Sequence, residues 1–285
     1  MTTHTTTGTF RVGNVEIQCL TDVDCVMPFP LDAVFPNAPA SAWDEYKRRY
    51  PQAFSADGLW SAHIGSLLLR SGGKTVMVDT GVGPEKVEML GGVSGTLPND
   101  IKAKGVNLDD VSSVVLTHLH FDHVGWNTLN GRPLCPKARY IMGGADWEFF
   151  SQPEVQQNFP PYFDRTLSPL KTLDIVDLVS GETAVTDEIT LLPTPGHTPG
   201  HLAVLIASAG EKALITGDAL VHPAQVSEPE WKFGFDADAD QAVATRKQMI
   251  DRLEADGIRL IGCHFPSPGY GSVVRIAGKR YFQAV

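Results

Sequence analysis

Hydrophobic and polar positions along the chain follow the two-residue period of β-strands in several places. Apolar and polar residues alternate over residues 10–20, which is typical of a half-buried strand. Apolar runs at residues 66–70 and 75–79 flank a Ser-Gly-Gly-Lys turn. They predict a hairpin, because glycine supplies the positive φ that tight turns require. The β-branched run at residues 113–117 predicts a buried strand.

The rest of the chain continues with strands and helices. Apolar residues between 242 and 253 recur on one helical face, so this stretch predicts an amphipathic helix. Further strands are predicted at residues 138–142, 190–192, 202–207, 213–216 and 259–263. Strands followed by helices, twice over, favour a layered α/β fold, and we expect a single domain over residues 1–285.

Residues 27–60 interrupt this regular pattern. The segment is rich in proline and aromatic residues, and only a short patch near residues 41–50 has helical periodicity. An aromatic segment with so little periodicity is expected to form an insertion or lid over a functional site, or else a contact surface in a homodimer.

The composition limits the classes of function that the chain can have. Its 285 residues carry 23 Lys and Arg against 33 Asp and Glu, a formal net charge of −10. This acidic balance argues against nucleic acid or an anionic membrane as a partner, because both are bound through basic patches. No apolar run approaches the ~20 residues of a membrane span. No secretory signal is visible, so a cytoplasmic location is predicted.

Four potential metal ligands lie together in the motif His118-x-His120-x-Asp122-His123, directly after the predicted buried strand. Side chains alternate along an extended backbone, so His118, His120 and Asp122 are expected on one side, with His123 in a turn. Imidazole and carboxylate groups are ligands for zinc, iron and manganese. The motif therefore predicts a metal site at the end of a strand.

Three more donors stand at comparable places in the chain. His197 lies in the rigid turn Thr-Pro-Gly-His-Thr-Pro-Gly-His, Asp218 ends an apolar run, and His264 follows another. The rim of a sheet delivers side chains from such positions into a shared cleft. All of these histidines and aspartates are therefore candidate metal ligands.

The order of these motifs, H-x-H-x-D-H followed by a distant His, Asp and His, resembles the metallo-β-lactamase superfamily. The likeness extends from the predicted hairpin that ends at Asp79 to His264. The intact Asp122-His123 pair and the T-P-G-H-T-P-G-H turn look like those of the dinuclear lactonases and the methyl-parathion-hydrolase-like enzymes. The resemblance implies a four-layer αβ/βα sandwich with two metal ions at its rim.

The resemblance also implies a role for each donor. His118, His120 and His197 would hold the first metal, Asp122, His123 and His264 the second, and Asp218 would bridge the two. Asp79 and His201 would support these ligands from behind without touching the metals. Zinc is the expected ion, although a site of histidine and aspartate also suits Mn, Fe or Co.

Two metal ions can share a water whose pKa falls far enough for hydroxide to exist at neutral pH. A bridging hydroxide would attack an electrophilic carbonyl, so the expected function is hydrolysis of a lactone or ester, of the acyl-homoserine-lactonase (quorum-quenching) kind. Cleavage of an organophosphate triester or an aryl ester is the alternative. A non-catalytic metal-binding scaffold is a third interpretation, but such members tend to lose ligands.

The sequence also suggests which side chains act on a small-molecule substrate. The predicted catalytic residues are Asp122 and His222, and the predicted substrate contacts are Trp126, Trp60 and Phe149. Lactonases of the family often carry a tyrosine three residues after the bridging aspartate, where this chain has Val221. His222 is therefore expected to donate a hydrogen bond or relay a proton, unless it lies in an exposed loop.

Asp236, Asp238 and Asp240 precede the predicted helix at residues 242–253. Carboxylates in such positions cap free N–H groups and interact with the positive end of a helix. An Asp-x-Asp-x-Asp run also begins a calcium loop, but Gln241 and Lys247 stand where that loop needs glycine and glutamate. Capping is therefore the predicted role of this acidic run.

Overall fold

Two seven-stranded sheets form the centre of the structure, a computed structural model that describes residues 8–159, 161–267 and 269–285. The first sheet contains β1 (Thr9–Val12), β2 (Val15–Val26), β3 (Ser61–Ser71), β4 (Lys74–Val78), β5 (Val111–Val115), β8 (Arg139–Gly143) and β9 (Val176–Val179), in that order. The second contains β10 (Thr183–Ala184), β11 (Ile189–Pro193), β12 (Leu202–Ser208), β13 (Glu211–Ile215), β14 (Arg259–Ile261), β15 (Tyr270–Ile276) and β16 (Lys279–Ala284). A separate ribbon pairs β6 (Thr128–Leu129) with β7 (Arg132–Pro133).

Helices lie between the strands in sequence, and most are short. They are α1 (Leu31–Val34), α2 (Trp43–Arg49), α3 (Leu97–Ala103), α4 (Phe121–Val124), α5 (Gly144–Phe150), α6 (Pro153–Gln156), α7 (Phe163–Thr166), α8 (Ser168–Thr172), α9 (Ala224–Ser227) and α10 (Ala239–Ala255). Short 3₁₀ turns cover Ala40–Ala42, Pro51–Ala53, Glu88–Leu90, Leu108–Asp110 and Gly217–Ala219.

The two sheets pack face to face through alternate residues of their strands. Buried aliphatic side chains such as Ile17 and Val76 from the first sheet share one core with Val204 and Ile215 from the second. The opposite faces of the sheets carry the helices. There α10 buries Met249, among others, in the larger core, called the main core below. The backbone amides and carbonyls of each sheet bond to neighbouring strands, so both faces of a sheet can be apolar and covered by other elements. The predicted four-layer αβ/βα sandwich is confirmed.

Strand direction brings the candidate donors to one edge of the sandwich. β4 and β5 run parallel in the first sheet, and β13 and β14 run parallel in the second. Asp79 directly follows β4, His118 follows β5, Asp218 follows β13 and His264 follows β14. Carboxyl ends of neighbouring parallel strands meet at the same sheet edge, which is where α/β proteins build their sites.

Several predicted elements differ from the structure in their extent. The strand expected at residues 10–20 is a hairpin, since β1 and β2 are separated by a turn in which Gly13 has φ 55°. The β15–β16 hairpin was not predicted at all. Its turn uses Ala277 at φ 48° followed by Gly278 at φ 84°, and alanine gives no sequence signal for such a conformation.

The aromatic segment at residues 27–60 joins β2 to β3 and packs on later parts of the same chain. The hydroxyl of Tyr46 donates to Glu228 Oε1 (2.7 Å), and that of Tyr50 donates to the carbonyl of Phe282 (3.0 Å). Phe35 and Trp43 are buried in the main core. These aromatic side chains, which suggested a homodimer contact, are therefore engaged within one chain.

Among the described residues, no helix combines the length and the apolar composition needed to cross a bilayer. The cytoplasmic location stays a prediction.

Candidate metal centre

The donors of residues 118–123 divide into two groups because the backbone changes conformation between them. His120 is extended (φ −71°, ψ 153°), and α4 begins at the next residue. The helical turn carries Asp122 away from the side occupied by His118 and His120, and places it with His123. The expectation that Asp122 shares one side with His118 and His120 was wrong, because it assumed that the strand continued.

The first group consists of His118, His120 and His197. The Nδ1 atom of His120 lies 3.0 Å from Nε2 of His118 and 2.9 Å from Nε2 of His197. Four ligands arranged tetrahedrally at about 2.1 Å from an ion are roughly 3.4 Å apart. The three nitrogen atoms therefore converge on a point that a metal ion fits.

The second group consists of Asp122, His123 and His264. The Nε2 atoms of the two histidines are 3.2 Å apart, and Asp122 Oδ2 lies 3.8 Å from that of His123 and 3.6 Å from that of His264. These three atoms are all within 4.8 Å of one another, so they can bind the same metal ion.

Asp218 stands between the two groups and directs one carboxylate oxygen to each. Its Oδ2 is 3.4 Å from Nε2 of His197, and its Oδ1 is 3.3 Å from Nε2 of His123 and 3.1 Å from Nε2 of His264. Oδ1 is buried without a hydrogen-bond partner among the described residues. A cation at each group would satisfy this oxygen and the facing imidazole lone pairs, so the residues present fit two metal ions.

Burial and charge set the protonation of these side chains in opposite directions. Burial, and then the charge of His123, lowers the pKa of His118 well below its usual range. Burial opposes protonation of His123 as well, but Asp218, Asp79 and Asp122 outweigh it and raise the pKa of His123 well above the usual range. Metal binding at the second group therefore releases protons.

Both imidazoles of the second ligand group have a partner on their outer side. Asp79 Oδ2 accepts from Nδ1 of His123 (2.8 Å), while its carboxylate also accepts from the amide and hydroxyl of Thr117 (2.7 and 2.8 Å). The main-chain carbonyl of His63 accepts from Nδ1 of His264 (2.9 Å). Such contacts fix which ring nitrogen bears the proton and leave the other free to bind a metal. Asp79 thus lies in the supporting position expected for it.

His201 holds the loop that carries Asp218. Its Nε2 accepts from the amide of Asp218 (3.0 Å), and its Nδ1 faces the hydroxyl of Thr194 (2.7 Å). Burial lowers the pKa of His201 to about 3, so the ring is neutral. It supports the Asp218 backbone, which agrees with the structural role predicted for it.

Asp146 fastens the turn that presents His197. Its carboxylate accepts from the hydroxyl of Thr198 (2.8 Å) and from the amide of Gly200 (2.5 Å). Burial raises the pKa of Asp146 to about 6, although these hydrogen bonds favour the charged form. The turn is therefore tied to α5 as well as to its own strands.

A cavity of about 590 Å³ opens directly over the two groups. It is lined by candidate ligands, including Asp122 and Asp218, and by a larger set of apolar side chains. The apolar lining includes Met27, Trp60, Ile64, Met89, Leu90, Phe121, Phe159, Phe233 and Phe235. The cavity thus combines the candidate ligands with a mostly apolar lining, as in sites for small organic ligands.

The predicted substrate contacts are distributed unevenly around this cavity. Trp60 lines it, but Trp126 and Phe149 are not among the described residues that do. Trp126 is buried, and its indole N–H donates to Asp22 Oδ1 (3.0 Å). Phe149 packs edge-on against Phe150. Trp126 follows the ligand loop in the sequence, but its side chain turns into the core and not toward the cavity.

His222 is also absent from the cavity lining and is fully buried. Its ring packs against Phe35, Trp43, Phe54 and Trp60, with centroids 5.2 to 6.2 Å away. Nδ1 accepts from the amide of Ala224 (3.1 Å), and burial lowers the pKa of His222 to about 3. A neutral imidazole enclosed by aromatic rings is poorly placed to relay protons, and the structure does not bring His222 to the cavity that the candidate ligands line.

The three aspartates around the start of α10 have three different partners, whereas helix capping was predicted for all of them. Asp238 caps α10 by accepting from the amide of Gln241 (3.0 Å), and exposed Asp240 pairs with Lys232. Asp236 instead accepts from Nδ1 of His197 (3.0 Å), and its side chain is fully buried. Capping was therefore the wrong role for Asp236.

Comparison with known proteins agrees with this arrangement. The family model of the metallo-beta-lactamase superfamily matches residues 65–264. An N-acyl homoserine lactonase of Bacillus sp is 30% identical over 197 residues, which cover 61% of this chain and 71% of that protein. N-acyl homoserine lactonase AiiA of Bacillus thuringiensis subsp. kurstaki is 29% identical over 196 residues, covering 62% and 72%.

Solved structures share the fold over nearly the full length. AidC, a dizinc quorum-quenching lactonase in complex with the product N-hexanoyl-L-homoserine, superposes with a TM-score of 0.82 at 21% identity, covering 98% of this chain and 97% of that one. The hydrolase AbOPH gives a TM-score of 0.82 at 22% identity, covering 97% and 96%. With the family model spanning both ends of the ligand set, the chain belongs to the metallo-β-lactamase superfamily.

Proposed function

We propose that this chain is a dinuclear metal-dependent lactonase that hydrolyses N-acyl homoserine lactones or closely related lactones. The observation that carries the proposal is the position of Asp218, whose two oxygen atoms face two separate ligand groups that line a mostly apolar cavity. The 30% identical lactonase relative supports the choice of substrate class.

The metal ligands of this proposal are His118, His120 and His197 for one ion, Asp122, His123 and His264 for the other, and Asp218 for both. Zinc is the proposed ion, as in the dizinc structural neighbour AidC. Bound there, two zinc ions supply a water of lowered pKa as nucleophile and polarise the scissile carbonyl.

The chain's own residues orient the substrate and exclude water. Met27, Ile64 and Phe233 line the cavity, so an acyl chain can pack on these side chains while the lactone ring faces the candidate ligands. Burying methylene groups of an acyl chain is favourable by about 0.8 kcal/mol each. A mostly apolar cavity that also contains the candidate ligands thus selects amphipathic esters over fully charged substrates.

Asp122 is the proposed proton carrier. Its side chain is 15% exposed and lines the cavity, so a bound substrate can reach it. Attack of hydroxide on the lactone carbonyl and cleavage of the ring C–O bond give a new carboxyl group, which carries the proton of the hydroxide, and an alkoxide. The Asp122 carboxylate can take that proton and pass it to the alkoxide. His222 has no part in this step, because it lies in its aromatic enclosure.

The test is a substrate panel with the purified full-length chain loaded with zinc. Acyl-homoserine lactones, simple lactones, aryl esters and a paraoxon-type triester are compared by kcat/KM. We expect the acyl-homoserine lactones to be preferred. A preference for the triester or the aryl ester would contradict the proposal and support the alternative hydrolase activity.

A matched control separates the metal centre from other sources of turnover. Asp218→Asn keeps the shape of the bridging side chain but removes its charge, whereas Asp240→Asn makes the same change at an exposed site. Lactone turnover should fall by at least about 100-fold in the first variant and stay unchanged in the second. Turnover retained in Asp218→Asn would mean that another site hydrolyses the lactone.

A further inference from the structure

Arg246 is the largest fully buried side chain of the described residues, and it lies behind the first ligand group. Its Nε donates to the carbonyl of Ala219 (2.8 Å), and its Nη1 donates to the carbonyls of Pro229 (3.1 Å) and Trp231 (2.8 Å). Nη2 lies 3.5 Å from Oδ2 of Asp236. A cation this deep in a protein is retained only where partners compensate for its lost hydration.

Asp236 connects this arginine to His197. Its Oδ1 is 3.0 Å from Nδ1 of His197, and its Oδ2 accepts from the amide of Phe233 (3.3 Å) while facing Arg246. The side chains of Asp236 and Arg246 are fully buried, and that of His197 is about 1% exposed. The three groups form one continuous line from α10 to the first ligand group.

We propose that Asp236 and Arg246 are positioning residues for the first metal ion: Asp236 fixes the ring of His197 with Nε2 toward the ion, and Arg246 holds Asp236 in place. The inference rests on the two-metal site of the proposed function, but not on its substrate. The hydrogen bond to Asp236 puts the proton of His197 on Nδ1 and leaves Nε2 free as a ligand.

Arg246 adds a second constraint to the same half of the site. Ala219 directly follows Asp218, and the carbonyls of Pro229 and Trp231 belong to the loop that brings Phe233 to the cavity. One buried side chain thus ties α10 to the backbone beside the bridging carboxylate and to the cavity wall. The second ligand group has separate supports in Asp79 and the carbonyl of His63.

This separation predicts unequal effects on the two ions. In the structure, one oxygen of Asp236 faces a donor on His197, and the other faces donors on Phe233 and Arg246. Asparagine has only one oxygen to accept from these two groups of donors. The amide must therefore turn one of its own donors toward another donor. Loss of such an outer partner weakens metal affinity by about 10- to 100-fold.

The experiment titrates Zn²⁺ alone into the chelator-treated full-length chain, in competition with a chromophoric chelator, so no lactone is needed. We expect two zinc equivalents in the unmodified chain. In Asp236→Asn, one equivalent should weaken by about 10- to 100-fold and the other should keep its affinity. Asp240→Asn, which removes an exposed charge from the same segment, should match the unmodified chain.

Arg246 is tested through Asp236. Arg246→Met should weaken the same zinc equivalent, and the double variant with Asp236→Asn should be no weaker than the more affected single variant, because the arginine acts through the carboxylate. Arg246→Lys should restore part of the affinity, since lysine keeps the charge but not the fork of donors. If Arg246→Met fails to fold, the zinc affinities of the near-isosteric Asp236→Asn and of Arg246→Lys still test the inference.

Two outcomes would overturn the inference. One is a pair of zinc affinities in Asp236→Asn equal to those in Asp240→Asn. The other is an equal loss of both equivalents, which would indicate a general structural role. The unmodified chain could bind two zinc ions, and Asp236→Asn could weaken only one of them, while no lactone is hydrolysed. That result would support this inference and contradict the proposed substrate.

Discussion

Asp79 lies 2.8 Å from Nδ1 of His123, on the side of the ring opposite to the nitrogen that faces Asp218. The same relationship joins Asp236 to His197 in the other ligand group. Each proposed metal therefore has one imidazole held from behind by a buried carboxylate. Such outer contacts orient a ligand and make it more basic.

Replacing Asp79 should weaken metal binding at the second group. Asp79→Asn removes the charge behind His123 and should lower zinc affinity by about 10- to 100-fold, measured by chelator competition. Asparagine adopts the left-handed backbone conformation at this position, φ 58°, at a lower energetic cost than alanine. Asp79→Ala should therefore also lose about 1 kcal/mol of stability. Unchanged zinc affinity in Asp79→Asn would contradict this role.

Asp22 should be a determinant of stability and not of chemistry. Its buried carboxylate accepts from the amides of Val82 and Leu97 (2.6 Å each) and from the indole of Trp126 (3.0 Å). Asp22→Ala leaves three buried donors without a partner, so the free energy of unfolding in urea should fall by about 3 kcal/mol.

The control for Asp22 is its neighbour Asp24, whose side chain is 58% exposed and pairs with His63. Asp24→Ala should change stability by no more than about 0.5 kcal/mol. Equal losses in the two variants would show that the buried carboxylate is not the cause.

His222 should affect the pH dependence of stability and leave turnover unchanged. Burial lowers its pKa to about 3 in the folded chain, against an ordinary value of 6.5. The unfolded chain therefore takes up a proton as the pH falls below 6.5, while the folded chain does not until about pH 3. Stability is lost over this window at up to about 1.4 kcal/mol per pH unit.

His222→Asn tests this, because the asparagine oxygen can still accept from the amide of Ala224. As the pH is lowered from about 6 to about 4, the unfolding free energy of the variant should fall less steeply than that of the unmodified chain. The difference in slope should correspond to the uptake of about one proton on unfolding. Its kcat at pH 7.5 should stay within about twofold of the unmodified chain. A kcat reduced by orders of magnitude in a folded variant would restore the proton-relay prediction.

Phe159 should limit the length of the acyl chain. It lines both the 590 Å³ cavity over the ligands and a neighbouring cavity of about 310 Å³. Phe159→Ala should join the two, so kcat/KM for a dodecanoyl lactone should rise relative to a hexanoyl lactone by about fourfold or more. Phe149→Ala, a change outside both linings, should leave the ratio unchanged. Equal ratios in the two variants would contradict the assignment.

Local sequence predicted the parts of the site that local geometry controls. Apolar runs ending in His118, Asp218 and His264 gave both the strands and the positions of the donors, because strand ends at one sheet edge must meet. The alternation of side chains along a strand did not predict the division of Asp122 from His120, since that division depends on where α4 begins; only the family resemblance implied it.

The contacts of Asp236 and Asp22 were missed because they join distant parts of the chain. Asp236 is 39 residues from His197, and Trp126 is 104 residues from Asp22. A signal for Arg246 was nevertheless present: it falls on the same helical face as Ala242, Met249 and Ile250. A charged residue within an apolar stripe indicates a buried partner, although not which one.

The most direct test of the two-metal site is a zinc titration of the chelator-treated chain, followed by bound-metal analysis and lactone turnover in the same samples. We predict negligible turnover without metal, two zinc ions bound per chain, and full recovery at two equivalents. Full turnover after exhaustive chelation, or recovery that is complete while only one ion is bound, would contradict a centre in which Asp218 joins two metal ions.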